Sequence, residues 1–282
     1  MILVTGATGN IGSEVLAQLV KRGDKVRVLA RDPAKLSAYA GKIEVVKGDL
    51  SKPETLDAAF TGVEKAFLLC SAGDLPTMMG NATDAAKKAG VKHIVMLSSA
   101  SVRDEKPTQI GRWHIEGEAK VKASGIAWTM LQPGAFASNT LQWADSIKAS
   151  GAVYLPWGDG KTTPIDPHDI ADVAVKVLTE PGHEGKSYEL SGPESLSTAE
   201  QVAKISAAIG KPVKYVDVPP EAAREGMEKA GMPEVFIGAM LELAALVRAG
   251  HGWEANGTVE QLLGRKARPY EVWLERNVEA FK

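Results

Sequence analysis

Short apolar runs alternate with amphipathic stretches through the first half of the chain. Ile2 to Thr5 is one such run, and from Ile11 onward apolar residues recur at helical spacing. Further runs at 25–30, 43–47, 65–70, 92–98 and 126–131 predict five more strands, with a helix near 110–123 before the last of them. Side chains alternate across a strand and recur every three to four positions along a helix, so the change of period marks each junction. Buried strands alternating with helices predict an α/β fold of the Rossmann type, a doubly wound parallel sheet with right-handed crossovers. Ser51-x-x-Glu54 has capping-box spacing and predicts a helix to about Phe60.

The second half is less regular. Asp166 to Thr179 has helical periodicity, Ser187 to Leu190 suits a seventh strand, and Ser197-x-x-Glu200 is a second capping box, heading a helix to about Ile209. Residues 219–250 predict two helices broken near Gly231-Met232-Pro233. The expected organisation is a Rossmann core over 1–150, completed by about 166–191. Residues 151–165 and 192–282 form a smaller, mainly helical lobe integrated with it as one unit.

Between the first strand and first helix lies Val4-Thr5-Gly6-Ala7-Thr8-Gly9-Asn10-Ile11-Gly12. Three glycines at a strand-to-helix turn permit a tight bend and let a pyrophosphate approach the backbone. The helix start offers free N–H groups and partial positive charge to that anion. Gly6, Thr8, Gly9, Asn10, Ile11 and Gly12 are therefore assigned to a dinucleotide.

Arg31-Asp32-Pro33 follows the second strand, where NAD-preferring folds usually carry an acidic residue. Arg31, with Lys35 nearby, suits the extra 2′-phosphate of NADP; the plainer alternative makes Arg31 a solvated charge. Asp32 before Pro33 is a helix cap under either reading. Asp49 and Leu50, ending the third strand, are placed at the adenine, although turn chemistry explains Asp49 equally well.

Bulk properties narrow the classes further. A formal net charge of -2 gives no support for a nucleic-acid partner or an anionic membrane surface. Cys70 is the only cysteine, which excludes an intrachain disulfide and a cysteine-rich metal site, and it is expected to pack as a small apolar residue. With no apolar run of transmembrane length and no room for a signal peptide before the glycine turn, a cytoplasmic location is expected. A homodimer is compatible with the sequence.

Taken in order, the glycine turn, Leu29 to Pro33, Gly48-Asp49-Leu50, Ser98-Ser99, His114 to Glu118, Ser124 to Thr129, Asp169 to Ala174 and Ser191-Gly192-Pro193 resemble the atypical short-chain dehydrogenase/reductases of the NmrA-like type. The resemblance spans nearly the whole chain and is greatest to type 2 quinone oxidoreductases and triphenylmethane reductases, with azo-dye reductases nearby. It implies an NADPH-dependent reductase of flat, conjugated acceptors, with NADH as a weaker donor. One departure is Gln132, which stands before Pro133-Gly134-Ala135-Phe136 where the family often has arginine.

None of the five tyrosines has a lysine four residues later, so the usual short-chain dehydrogenase acid is missing. A quinone or azo bond accepts hydride readily, leaving the protein to align the reactants and exclude solvent. His114, read as beginning the helix before the sixth strand, is the candidate catalytic acid; its alternative is a packed, structural histidine. Pro133 and Phe136 flank the turn at the sheet's carboxyl edge and are assigned to the cofactor, as are Ser71, Ala72 and Ser98. Phe136, Asn139, Trp143 and Trp157 are candidate substrate contacts, against the alternatives of a helix cap for Asn139 and core packing for the tryptophans.

Two other functions compete with a reductase of aromatic or quinoid small molecules. One is a redox sensor of the NmrA type that binds NAD(P) without turnover. The other is an epimerase or dehydratase with recycled NAD, against which the missing tyrosine–lysine pair counts.

Overall fold

A computed structural model describes residues 1–70, 74–252 and 254–282. The chain forms two compact units, the first comprising Met1–Arg103, Gly111–Pro133 and Pro167–Leu190. Its strands are β1 (Ile2–Thr5), β2 (Val26–Ala30), β3 (Glu44–Lys47), β4 (Lys65–Leu68), β5 (His93–Leu97), β6 (Ala127–Pro133) and β7 (Lys186–Leu190). They pair in the order β3-β2-β1-β4-β5-β6-β7, all parallel, with Ile2 opposite both Val26 and Lys65. Chain direction across the sheet reverses between β1 and β4, which is where a doubly wound fold opens its ligand crevice.

Every residue of β1 and of β5 is buried, as expected for strands covered on both faces. β3 is an edge and is mostly exposed. The helices are α1 (Asn10–Arg22), α2 (Asp57–Phe60), α3 (Leu75–Ala89), α4 (Gln109–Ala123) and α5 (Pro167–Thr179). Leu3, Phe60, Leu68, Met79, Ile94, Met96 and Met130 belong to one apolar core.

The first capping box does not form. Ser51 Oγ donates instead to Asp49 Oδ1 at 2.9 Å, and Pro53 starts a 3-10 turn (Pro53–Thr55) ahead of the short α2. The second box does form: Ser197 Oγ accepts from the Glu200 amide at 3.1 Å and Glu200 Oε2 accepts from the Ser197 amide at 2.7 Å.

The second unit contains Asp104–Ile110, Gly134–Asp166 and Ser191–Lys282. The sequence reading carries the nucleotide fold through residue 150, whereas 134–166 group together in this unit. Among its described residues, six α-helices, including Thr198–Ile209, Pro220–Lys229 and Glu234–Arg248, accompany two small sheets. Ala152–Leu155 pairs in parallel with Lys214–Asp217, and Lys161–Thr162 pairs antiparallel with Leu196–Ser197. Tyr270, Trp273, Ile205 and Val202 help form its core, where the Tyr270 hydroxyl donates to Thr140 Oγ1 at 3.0 Å. Among the described residues no helix is long and apolar enough to cross a membrane.

Candidate functional site

The glycine turn separates two roles by geometry. Gly6 sits at φ 66°, a left-handed conformation that a side chain would strain. A Cβ on Gly12 would stand 2.2 Å from the Gly6 carbonyl oxygen, so this glycine is required by packing. A Cβ on Gly9 would meet only the Gly6 oxygen, at 3.4 Å, and otherwise open space. Thr8, Gly9 and Asn10 are exposed, while the Ile11 side chain is core and only its backbone faces the helix start. Gly9 is the N-cap of α1 and brings no side-chain cap; the first turn holds no acidic residue. Free amides, an uncapped helix start and room above Gly9 together make a cradle for an anion.

Thr5 was not singled out by the sequence, yet it fixes the crevice. Its Oγ1 donates to the Leu69 carbonyl at 3.0 Å and accepts from the Leu69 amide at 2.8 Å, tying the end of β1 to the chain leaving β4. A threonine closing an otherwise apolar strand was the available signal.

Along the crevice, Arg31 is exposed after β2, and Lys35 is exposed on the 3-10 turn Pro33–Tyr39. Asp32 caps that turn by accepting from the Ala34 amide at 3.2 Å. The Ser51 amide, with the Ser51 hydroxyl and the charge of Arg31 behind it, holds the Asp49 carboxyl below the usual carboxylate range. Leu50 is buried, and Asn81 Nδ2 of α3 donates to its carbonyl at 2.9 Å, pinning that corner. Ser71 and Ala72 lie outside the described residues.

At the carboxyl ends of β5 and β6, the Ser98 amide donates to the Leu131 carbonyl at 2.7 Å, and the buried Ser98 hydroxyl has no partner among the described residues. Pro133 ends β6 and is buried. His114 lies in the second turn of α4 rather than at its beginning, because the helix starts at Gln109. It is half-buried, its Nδ1 has no partner among the described residues, and burial pushes its pKa down to about 4, only partly offset by the Glu118 carboxylate. At neutral pH the imidazole is uncharged. It can polarise an oxygen or nitrogen by hydrogen bonding, but it holds no imidazolium proton to deliver.

A polar chain that the sequence did not reveal surrounds the departure at Gln132. Glu118 and Gln132 are buried, with Gln132 Nε2 donating to Glu118 Oε1 at 2.7 Å. Lys122 Nζ meets Glu118 Oε2 at 2.7 Å, and Arg103 Nε donates to Gln132 Oε1 at 2.9 Å. Arg103 closes the 3-10 turn that follows β5, so a guanidinium reaches Gln132 from the turn beyond the neighbouring strand.

The remaining candidates belong to the second unit. Phe136 is half-buried and bridges to Ile165, Asn139 is exposed, and Trp157 is half-buried in a turn closed by the Gly160 amide. Trp143 packs against that unit's core.

Residues 6–181 match the profile of a family described as NAD(P)H-binding. An NAD(P)H azoreductase of Xenophilus azovorans is 42% identical over 283 residues, covering 100% of this chain and 99% of its own. A (4-alkanoyl-5-oxo-2,5-dihydrofuran-3-yl)methyl phosphate reductase of Streptomyces griseus is 40% identical over 282 residues, with 100% and 99% covered. The NADPH-dependent quinone oxidoreductase of Escherichia coli, solved with NADPH, has a TM-score of 0.86 at 30% identity over 99% of each chain.

Proposed function

We infer that this chain, which belongs to the NAD(P)H-binding family and is an NAD(P)H-dependent reductase, uses NADPH to reduce a flat, conjugated acceptor such as a quinone or an azo compound. The cofactor fits the residues present. Gly9 leaves its phosphates room, Arg31 and Lys35 offer cations to a 2′-phosphate, and the buried, unpartnered Ser98 hydroxyl offers a hydrogen bond to a ribose. When bound, the reduced nicotinamide supplies the hydride.

The observation that carries the choice of acceptor is the uncharged state of His114, whose pKa lies near 4. An alcohol–ketone interconversion needs a strong proton partner within reach. A quinone or azo group takes hydride without one, and water completes protonation. His114 then orients the acceptor through a neutral hydrogen bond, while the apolar strands beneath limit solvent. Two of the relatives above are named for an azo compound and a quinone, which supports the same class.

The test is steady-state loss of NADPH absorbance with a panel of benzoquinones, naphthoquinones and azo dyes. Acceptor-dependent oxidation is expected for at least one member of each class. NADPH binding without any acceptor-dependent oxidation would overturn the reading in favour of a sensor.

A further inference from the structure

Arg103 is more elaborately held than an ordinary surface arginine. Its side chain is 46% exposed, and its Nε hydrogen is committed to Gln132 Oε1 at 2.9 Å. Gln132 is in turn fixed by the buried Glu118, which Lys122 holds from its other oxygen. Nη1 stands 3.6 Å from Glu189 Oε2, an ion pair without a hydrogen bond. The terminal edge formed by Nη1 and Nη2 therefore donates no hydrogen bond among the described residues.

The placement is as informative as the donors. Arg103 closes the 3-10 turn after β5, Gln132 is next to last in β6 and Glu189 is next to last in β7, so two carboxyl strand ends and the turn after a third converge on one guanidinium. Ligands of doubly wound folds bind beyond the carboxyl ends of the strands at the switch point, here between β1 and β4, and in this all-parallel sheet the ends of β5, β6 and β7 lie on that same edge. A planar fork with two parallel donors matches the oxygens of a carboxylate, sulfonate or phosphate in a way that a lysine cannot. A buried carboxylate is costly to keep, and here it fixes the direction of that fork.

We propose that Arg103 is a specificity-determining residue that reads an oxyanion substituent on the acceptor through its Nη1–Nη2 edge. The inference rests on the reductase reading given above. Glu118 and Gln132 are positioning residues that aim the fork, and Glu189 is a resident competitor that the ligand's oxyanion displaces from its loose pairing.

Binding at equilibrium tests this without turnover. Naphthalene carboxylate and its neutral methyl ester share one ring system, and calorimetry of each against the NADP-loaded protein gives a preference ratio. Wild type is expected to favour the carboxylate at least 10-fold, and Arg103→Gln to bring the ratio below about 2. Arg103→Lys, which keeps the charge and loses the fork, should fall between. Glu189→Gln should raise carboxylate affinity roughly threefold by removing the competitor, a gain that a purely structural salt bridge would not give. These last two variants decide the matter should Arg103→Gln fail to fold.

A wild-type ratio near one, or one that Arg103→Gln and Arg103→Lys leave unchanged, overturns the proposal. So does a loss of NADPH affinity in the Arg103 variants that matches the loss of carboxylate affinity, since the fork would then read the cofactor. Turnover of neutral quinones by wild type separates the two inferences. If it occurs and the ratio is flat, only the Arg103 assignment falls; if no acceptor is reduced, the reductase reading falls and this one with it.

Discussion

Gly12 approaches Gly6 so closely that a Cβ on the former would lie 2.2 Å from the carbonyl oxygen of the latter, while Gly9 between them faces open space. Two substitutions in one turn should therefore fail differently. Gly12→Ala should lower stability by about 1–3 kcal/mol through overpacking. Gly9→Val should leave the melting temperature within a few degrees of wild type and abolish NADPH binding by fluorescence titration. Retained affinity in Gly9→Val would show that the phosphates sit elsewhere.

Arg31→Ala should weaken NADPH binding roughly 10- to 100-fold, the worth of a charge-assisted hydrogen bond, and change NADH affinity little. Calorimetric titration of both coenzymes measures this. Equal losses would show that Arg31 does not meet the 2′-phosphate.

His114→Ala should slow turnover about 100-fold, in the range of a lost polarising donor, with unchanged NADPH affinity. Because burial holds this imidazole near a pKa of 4, kcat in the wild type should stay flat between about pH 5.5 and 8. A rate that falls as pH rises through 6.5 would instead make the imidazolium the acid.

His93 predicts how stability depends on pH. Thr129 Oγ1 donates to the His183 carbonyl at 2.7 Å, so it must accept from His93 Nε2 at 2.8 Å, leaving Nδ1 buried and without a partner among the described residues. Desolvation, followed by the nearby Lys65 charge, lowers the His93 pKa below 6.5, and His114 is lowered in the same sense. A histidine kept neutral when folded binds its proton more readily when unfolded. Its stabilisation is therefore full above about pH 6.5 and is lost as pH falls below that value, at about 1.4 kcal/mol per unit of depression. His93→Gln keeps the donor to Thr129 and removes the titration. Its denaturation midpoints should fall less steeply than those of wild type between pH 6.5 and 5; identical slopes would show that folding does not lower the His93 pKa.

Elements were legible wherever local pattern decides them. β2 runs from Val26 to Ala30 against the predicted 25–30, α4 from Gln109 to Ala123 against 110–123, and the break at Gly231-Met232-Pro233 separates two helices. Local rules failed where a nearer partner intervened, as when Asp49 took the Ser51 hydroxyl and Pro53 imposed a 3-10 turn. Pairings between distant residues left no local trace. The parallel match of Ala152–Leu155 with Lys214–Asp217 joins strands about 60 residues apart, and the Arg103–Gln132–Glu118 chain is assembled from a 3-10 turn, a strand end and a helix. In the turn after β1, the need for glycine at positions 6 and 12 could be read directly, because a left-handed backbone and a close approach each have a specific physical reason.

Rapid mixing of NADPH-loaded protein with excess naphthoquinone follows hydride transfer in a single turnover. One equivalent of nicotinamide absorbance should be lost per bound cofactor, much faster than in free solution and slowed by His114→Ala. Persistence of that absorbance while NADPH stays bound, with azo dyes equally inert, would contradict the reductase reading.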